Sequence, residues 1–142
     1  MKIPRSLMDQ ILAHARSGYP HEVCGVLLGR NGGGGAVVDR VVPAVNREHE
    51  MPRVRYEIAP EDLVRIQREG RDDGREILGY YHSHPDHPAR PSETDRRIAA
   101  EGLSDGVVHV VVGVEGGERA LPTAWVFRDR TLAFDEEPLD IE

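Results

Sequence analysis

Cysteine is nearly absent from this sequence, since Cys24 is the only one among 142 residues. A lone cysteine excludes an intramolecular disulfide, a zinc site built from several cysteines and a Cys-x-x-Cys redox pair. Cys24 lies between the apolar residues Val23 and Val26. A buried structural thiol is therefore favoured over a nucleophile, which would need an acid–base partner close by. This usage indicates a reducing compartment.

Long apolar runs and an excess of positive charge are also missing. The longest apolar stretch, around residues 107–114, has the length of a strand and not of a membrane span. The N-terminal segment lacks the apolar core and the cleavage site of a signal peptide. The formal net charge is −7, which argues against nucleic-acid binding because phosphate contacts require a basic surface. We therefore expect a cytoplasmic protein that binds neither membranes nor nucleic acid.

The apolar pattern predicts one domain in which strands and helices are mixed. Apolar residues at helical spacing predict a first helix over residues 6–17, which Gly18 ends. Further helices are expected over 60–71 and 92–101, and strands over 23–29, 36–46, 54–58, 76–83, 107–114, 123–127 and 132–134. This order predicts one α/β domain, a sandwich of sheet and helices, over residues 1–134. The acidic residues 135–142 are expected to form a loose tail.

Two histidines at the end of a predicted strand form the most informative feature. His82 and His84 are two residues apart, so their side chains point to the same face, and Pro85 ends the strand. Asp95 lies in the first turn of the next predicted helix, close enough in sequence to return to the same point. Two imidazoles and a carboxylate are a ligand set of catalytic zinc, with a fourth position left for water.

A zinc hydrolase also needs a general base and a group that stabilises the oxyanion. Glu22, just before the first buried strand, is our candidate for the base, and Ser92 could donate to the oxyanion. Each residue alone has a simpler interpretation. A lone His-x-His pair is more often incidental, Ser92 and Asp95 form a helix capping box, and Glu22 could be a surface carboxylate.

The remaining histidines carry weaker signals. His87 could be a fourth ligand, but a closed zinc site would have no open position, so a surface location is favoured. His109 lies among valines and is expected in the core or on a sheet face. His21 and Glu22 do not begin an HExxH motif, because Gly25 occupies its last position.

Taken together, these residues resemble the JAMM motif of the MPN+ metalloprotease family. That motif is an upstream glutamate, then His-x-His-Pro, Ser and Asp at fixed spacing. Glu22, His82-Ser83-His84-Pro85, Ser92 and Asp95 fill every position, and Asp86 to Pro91 complete the spacer before Ser92. The likeness extends over roughly residues 1–130 and includes the segments 22–29 (EVCGVLLG), 56–63 (YEIAPEDL) and 77–81 (ILGYY).

The resemblance implies a fold, a cofactor and a reaction. The fold would be the α/β JAB/MPN domain, a mixed β-sheet with flanking helices, related to cytidine deaminases. One Zn²⁺ per chain would be held by His82, His84 and Asp95. Glu22 would take a proton from the attacking water, and Ser92 would steady the oxyanion. The reaction would be hydrolysis of an amide, usually at the C-terminal Gly-Gly of a ubiquitin-like protein.

The short chain looks like the compact bacterial members, which are associated with ubiquitin-like sulfur carriers in cysteine or related sulfur metabolism. Such an enzyme could release an amino acid from the carrier or trim a C-terminal extension, and both remain open. An alternative is a non-catalytic, protein-binding scaffold of the same fold, but such scaffolds typically lack a metal ligand. A zinc deaminase is excluded because its ligand set needs further cysteines.

Overall fold

The computed structural model describes all residues 1–142 and contains three helices and eight strands. The helices are α1 (Arg5–Gly18), α2 (Pro60–Asp72) and α3 (Glu93–Glu101). The strands are β1 (Lys2–Ile3), β2 (Cys24–Gly32), β3 (Gly35–Ala44), β4 (Glu76–Pro85), β5 (Val108–Glu115), β6 (Arg119–Arg128), β7 (Ala133–Glu137) and β8 (Asp140–Ile141). They form one sheet in the order β7-β6-β5-β4-β2-β3-β1-β8.

The sheet is mixed, as the family resemblance implies. β2 pairs antiparallel with both β3 and β4, and β6 pairs antiparallel with both β5 and β7. β4 and β5 are parallel, and β1 is parallel to β3 and β8. Since β4 lies in the middle of the sheet, the strand that ends in the two histidines is supported on both sides.

Side chains along the central strands alternate between the two faces of the sheet, so each face has its own core cluster. Leu27 of β2 and Tyr81 of β4 belong to the larger cluster, which includes Met8 and Ile11 of α1. Their neighbours Val26 and Tyr80 pack in the smaller cluster with Ile66 of α2. Successive strand residues point to opposite faces, so His82 and His84 lie on the same face as Tyr80. The two histidines are therefore on the side of the sheet that α2 covers.

Most predicted elements are present, with ends shifted by a few residues. The hairpin of β2 and β3, all three helices and the strands at β4, β5, β6 and β7 are confirmed. The strand predicted over 54–58 is wrong, because this segment is a turn followed by irregular chain. Its backbone groups bond to Asn46 and Arg47 and not to a strand: the carboxamide of Asn46 donates to the Arg55 carbonyl at 3.0 Å and accepts from the Glu57 amide at 3.0 Å.

The acidic tail expected to be loose over 135–142 is instead paired with the start of the chain. The amide of Asp140 donates to the Met1 carbonyl at 2.9 Å, and the N-terminal ammonium contacts Glu137 at 3.0 Å. Leu139 and Ile141 pack against the larger core cluster. Because most residues of the tail are acidic, the sequence pattern does not reveal that these two apolar side chains hold β8 beside β1.

None of the three helices combines the length and the apolar character needed to cross a bilayer.

Candidate active site

The register of two antiparallel strands brings Glu22 to the histidines. Cys24 of β2 is paired with His82 of β4. In an antiparallel pair, a step of two residues back along one strand matches a step of two residues forward along the other. Glu22, two residues before Cys24, is therefore directed toward His84, two residues after His82. The chain is fixed here because the Glu22 amide donates to the Pro52 carbonyl at 2.7 Å and the Val23 amide donates to Ser83 Oγ at 2.8 Å.

The two imidazoles meet at their Nε2 atoms, which are 3.0 Å apart. The two side chains are held differently. Nδ1 of His84 donates to the Pro88 carbonyl at 2.9 Å, which fixes the tautomer and directs the Nε2 lone pair into the site. Nδ1 of His82 is buried without a hydrogen-bond partner. The ring of His82 is instead covered by Tyr56, with ring centroids 4.5 Å apart and planes inclined by 22°.

Asp95 reaches the same point from the first turn of α3. Its Oδ2 lies 3.1 Å from His82 Nε2 and 3.2 Å from His84 Nε2. The same oxygen accepts from the Ser92 amide at 2.8 Å, while Ser92 Oγ accepts from the Asp95 amide at 3.0 Å. The predicted capping box therefore exists, and it also orients the carboxylate. The structural and the functional interpretations of Ser92 and Asp95 are compatible.

Burial and close contacts shift the proton affinities of these groups. Burial raises the pKa of Glu22 to about 8, while charge on His84 opposes the rise. Burial would also raise the pKa of Asp95, but hydrogen bonds from His82 and His84 outweigh it and lower the pKa well below its usual range. Burial lowers the pKa of His82. At His84 burial acts the same way, but bonds to Asp95 and to the Pro88 carbonyl raise the pKa overall.

The spacing of the donor atoms fits a tetrahedral metal ion. Ligand atoms about 2.0–2.1 Å from such an ion stand roughly 3.3 Å from one another. The separations among His82 Nε2, His84 Nε2 and Asp95 Oδ2 are 3.0 to 3.2 Å. Ligand atoms of Glu22, His82 and His84 also lie within 4.8 Å of one another. Oε1 of Glu22 is buried without a partner, so it is free to accept a hydrogen bond from a water molecule at this point.

A cavity of about 360 Å³ opens beside these groups. Glu22, His84 and Ser92 line it, together with residues of the two loops at 51–55 and 87–91. His87 is an exposed residue of its wall and takes no part in the donor cluster, as expected. Cys24 is fully buried, and burial raises the pKa of its thiol to about 12, which fits a structural role.

Two residues near the site were missed from the sequence. Tyr56, which covers His82, lies in a segment predicted to be a strand and carries no sequence signal of a role at the site. Asn46 binds the loop over 46–57 to the site, because its Nδ2 donates both to the Glu22 carbonyl at 3.1 Å and to the Arg55 carbonyl at 3.0 Å. A lone asparagine after a strand is a common turn residue, so only the fold reveals that it joins these segments.

Known proteins resemble this chain over nearly its whole length. The sequence profile of the family described as prokaryotic homologs of the JAB domain matches residues 4–128. A desampylase of Haloferax volcanii is 37% identical over 134 residues, which cover 89% of this chain and 91% of the relative. A probable TtuB-protein conjugate cleaving protease of Thermus thermophilus is 32% identical over 80% of this chain and 70% of its own. A CysO-cysteine peptidase of Mycobacterium tuberculosis is 33% identical over 70% of this chain and 65% of its own.

Solved structures agree with this assignment. A solution structure from Desulfitobacterium hafniense superimposes with a TM-score of 0.85 at 29% identity, covering 100% of this chain and 93% of the other. A JAB1/MPN domain protein from Archaeoglobus fulgidus, with a TM-score of 0.60 at 23% identity over 99% of this chain and 98% of the other, shares the fold. By sequence and by fold, this chain belongs to the prokaryotic homologs of the JAB domain.

Proposed function

We propose that this chain is a zinc-dependent peptidase that hydrolyses the amide bond after the C-terminal Gly-Gly of a ubiquitin-like or sulfur-carrier protein. The observation that carries the proposal is the convergence of His82, His84 and Asp95 at 3.0 to 3.2 Å, with the unpartnered carboxylate of Glu22 beside them. In this proposal the first three residues hold the zinc ion and Glu22 is the general base.

The proposed hydrolysis uses three groups: the zinc ion, the carboxylate of Glu22 and the hydroxyl of Ser92. When bound, zinc lowers the pKa of a coordinated water to around 7 and polarises a carbonyl. Glu22 accepts the proton of the attacking water and passes it to the leaving nitrogen. A zinc ion beside Glu22 would oppose the rise in pKa that burial causes and would keep the carboxylate ionised, as a proton acceptor requires. Ser92 Oγ already accepts the Asp95 amide, so its own proton is free to donate to the developing oxyanion.

The substrate class is supported by the relatives' names. They describe removal of conjugated proteins or of cysteine: a desampylase, a TtuB-protein conjugate cleaving protease and a CysO-cysteine peptidase. A carrier tail ending in two glycines would suit this site, because glycine has no side chain and can pass through a narrow groove as an added strand. A role in cysteine or related sulfur metabolism and a cytoplasmic location are further parts of the proposal.

The alternative, a non-catalytic scaffold, has less support. A scaffold has no need for a buried carboxylate without a partner beside two buried imidazoles, since such groups are costly to bury. Here Glu22, His82 and His84 are all buried. An arrangement that is costly without a ligand and well matched to zinc favours the enzyme.

The test is a metal and activity assay on the purified full chain. Metal analysis should find about one zinc per chain, and a chelator should remove both the metal and the activity. The substrates are ubiquitin-like carriers that bear extensions after Gly-Gly, and intact mass reports the products. Cleavage directly after the second glycine, restored by zinc, is the expected result. Stoichiometric zinc without cleavage of any such conjugate would contradict the proposed activity and favour the scaffold.

A further inference from the structure

Two arginines without acidic partners line the cavity beside the proposed site. Arg55 and Arg90 contribute to the same walls as Glu22, His84 and Ser92. Both are exposed, and neither takes part in any ion pair of the structure. Arg47 and Arg96, by contrast, form ion pairs, with Glu57 at 2.8 Å and with Glu93 at 2.6 Å, and neither of them lines the cavity. In a chain with a net charge of −7, this cavity keeps two cations available to a ligand.

Each arginine is connected to one member of the site by the backbone. Asn46 Nδ2 bridges the carbonyl of Arg55 and the carbonyl of Glu22, at 3.0 and 3.1 Å. On the other wall, the Pro88 carbonyl accepts both from His84 Nδ1 at 2.9 Å and from the Arg90 amide at 2.8 Å. The two main-chain positions are thus fixed relative to the general base and to one proposed metal ligand.

An unpaired guanidinium is suited to bind a carboxylate, because its fixed fork of N–H donors matches the two oxygens. The leaving group of a Gly-Gly conjugate carries a carboxylate next to the scissile nitrogen only when it is a single free amino acid, because a longer extension has an amide at that position. If it is a free amino acid, its α-carboxyl carbon lies about 2.5 Å from the scissile nitrogen. If it is the ε-amino group of a protein lysine, the nearest main-chain atom is roughly 6 Å away and carries no charge.

We propose that Arg55 and Arg90 bind the free α-carboxylate of the leaving amino acid, so that this chain prefers to release a C-terminal amino acid over cleaving a lysine isopeptide. This inference rests on the proposed peptidase function and specifies its substrate. One water is consumed in the reaction. Its oxygen bonds to the glycine carbonyl carbon as the C–N bond breaks, and its two protons leave on the amine of the released amino acid.

The test compares three conjugates of one ubiquitin-like carrier that ends in Gly-Gly. The first carries alanine with a free carboxylate, the second carries alaninamide, and the third is joined to the ε-amino group of Nα-acetyl-lysinamide. Alanine is chosen because a cysteine thiol would compete for the metal. We expect kcat/KM of the zinc-loaded protein to be about 10-fold or more higher for the first conjugate than for the other two, the size of a charge-assisted contact.

Variants then connect the preference to the two side chains. Arg55→Gln and Arg90→Gln should each lower the ratio of kcat/KM between the free carboxylate and the amide, and the double variant should bring the ratio near one. Arg68→Gln is the matched control, because Arg68 is exposed on α2 and does not line the cavity. Its ratio should equal that of the wild type.

Binding without turnover gives a second measurement. In NMR spectra of nitrogen-15-labelled protein, N-acetylalanine should shift the side-chain Nε–H signals of Arg55 and Arg90, and N-acetylalaninamide should not. Equal cleavage of all three conjugates, or a ratio that survives in the double variant, would overturn the carboxylate site while leaving the peptidase function intact. Failure of zinc-loaded protein to cleave any of them would instead overturn the proposed function on which this inference rests.

Discussion

The ring of Tyr56 lies against the imidazole of His82, with centroids 4.5 Å apart and planes inclined by 22°. Imidazoles that ligate a metal usually donate their second nitrogen to a carbonyl or a carboxylate, which fixes their orientation. His84 follows this rule through the Pro88 carbonyl at 2.9 Å. His82 does not, because its Nδ1 is buried without a partner. The stacked tyrosine therefore provides the orientation that a hydrogen bond would otherwise give to His82.

This relationship predicts the effect of changing Tyr56. Tyr56→Phe keeps the stacked ring and should bind zinc with nearly the wild-type affinity. Tyr56→Leu fills similar space without a flat ring, so we expect a loss of about 10-fold in zinc affinity, in the range known for residues that support metal ligands. Competition with a chromogenic chelator measures both. Equal affinities of the two variants would show that the ring does not hold His82.

Ser92 has an observed helix-capping role and a proposed oxyanion role, two tasks that different substitutions can separate. As N-cap of α3, its hydroxyl accepts the Asp95 amide at 3.0 Å. Loss of an N-cap serine costs about 1 kcal/mol with alanine but only a few tenths with glycine. Ser92→Ala and Ser92→Gly should both lower kcat by roughly 10²–10³, the usual effect of removing an oxyanion donor. Only the alanine variant should also lose about 1 kcal/mol of unfolding free energy.

Denaturant unfolding and steady-state kinetics on the same preparations separate the two tasks. If Ser92→Gly retains wild-type turnover, the hydroxyl serves the helix alone and the oxyanion role is wrong.

Glu22→Gln should retain zinc and lose turnover. The amide has the shape of the carboxyl group but cannot accept a proton, so we expect kcat to fall by about 10²–10⁴. His82→Ala, by contrast, should lose the metal itself. Glu101→Gln is a suitable control, since Glu101 is exposed at the end of α3 and forms no ion pair. Metal content and kcat should be measured together, because loss of zinc from Glu22→Gln would make this residue a ligand instead of a base.

The strand that carries the histidines illustrates what the sequence can predict. The alternation of β4 and the position of Pro85 are local properties, so the common direction of His82 and His84 follows from sequence alone. The return of Asp95 follows from the capping signal of Ser92 at the start of α3, which is also local. The position of Glu22 beside His84 depends on the pairing of Cys24 with His82, which the spacing in the sequence does not determine.

The loop over 46–57 and the tail illustrate what the sequence could not predict. Val54 and Ile58 alternate as in a strand, but Asn46 holds this loop at the site by donating to the Arg55 carbonyl and accepting from the Glu57 amide. The acidic composition of residues 135–142 predicts a loose tail. It is ordered by contact with Met1, a partner more than a hundred positions away. Both errors concern bonds between distant segments, which a local pattern does not contain.

His109 should make the protein less stable in acid. It is buried against Phe134, with ring centroids 5.0 Å apart, and its Nε2 has no partner. Burial lowers its pKa from 6.5 to about 4, and charge on His82 adds to this. Between these two pH values, His109 is protonated in the unfolded chain but not in the folded protein. The free energy of unfolding is therefore not reduced by His109 above pH 6.5, and it decreases as the pH falls toward 4.

Replacing this imidazole should flatten the acid side of the stability profile. The lowering of the pKa from 6.5 to about 4 corresponds to about 3 kcal/mol, so between pH 6.5 and 4 the wild type should lose roughly 2–3 kcal/mol more than His109→Leu. His49→Gln, which changes an exposed histidine, should follow the wild type. Unfolding in urea at several pH values measures all three proteins. Parallel profiles for wild type and His109→Leu would mean that His109 accepts its proton in the folded state, which its burial without a partner opposes.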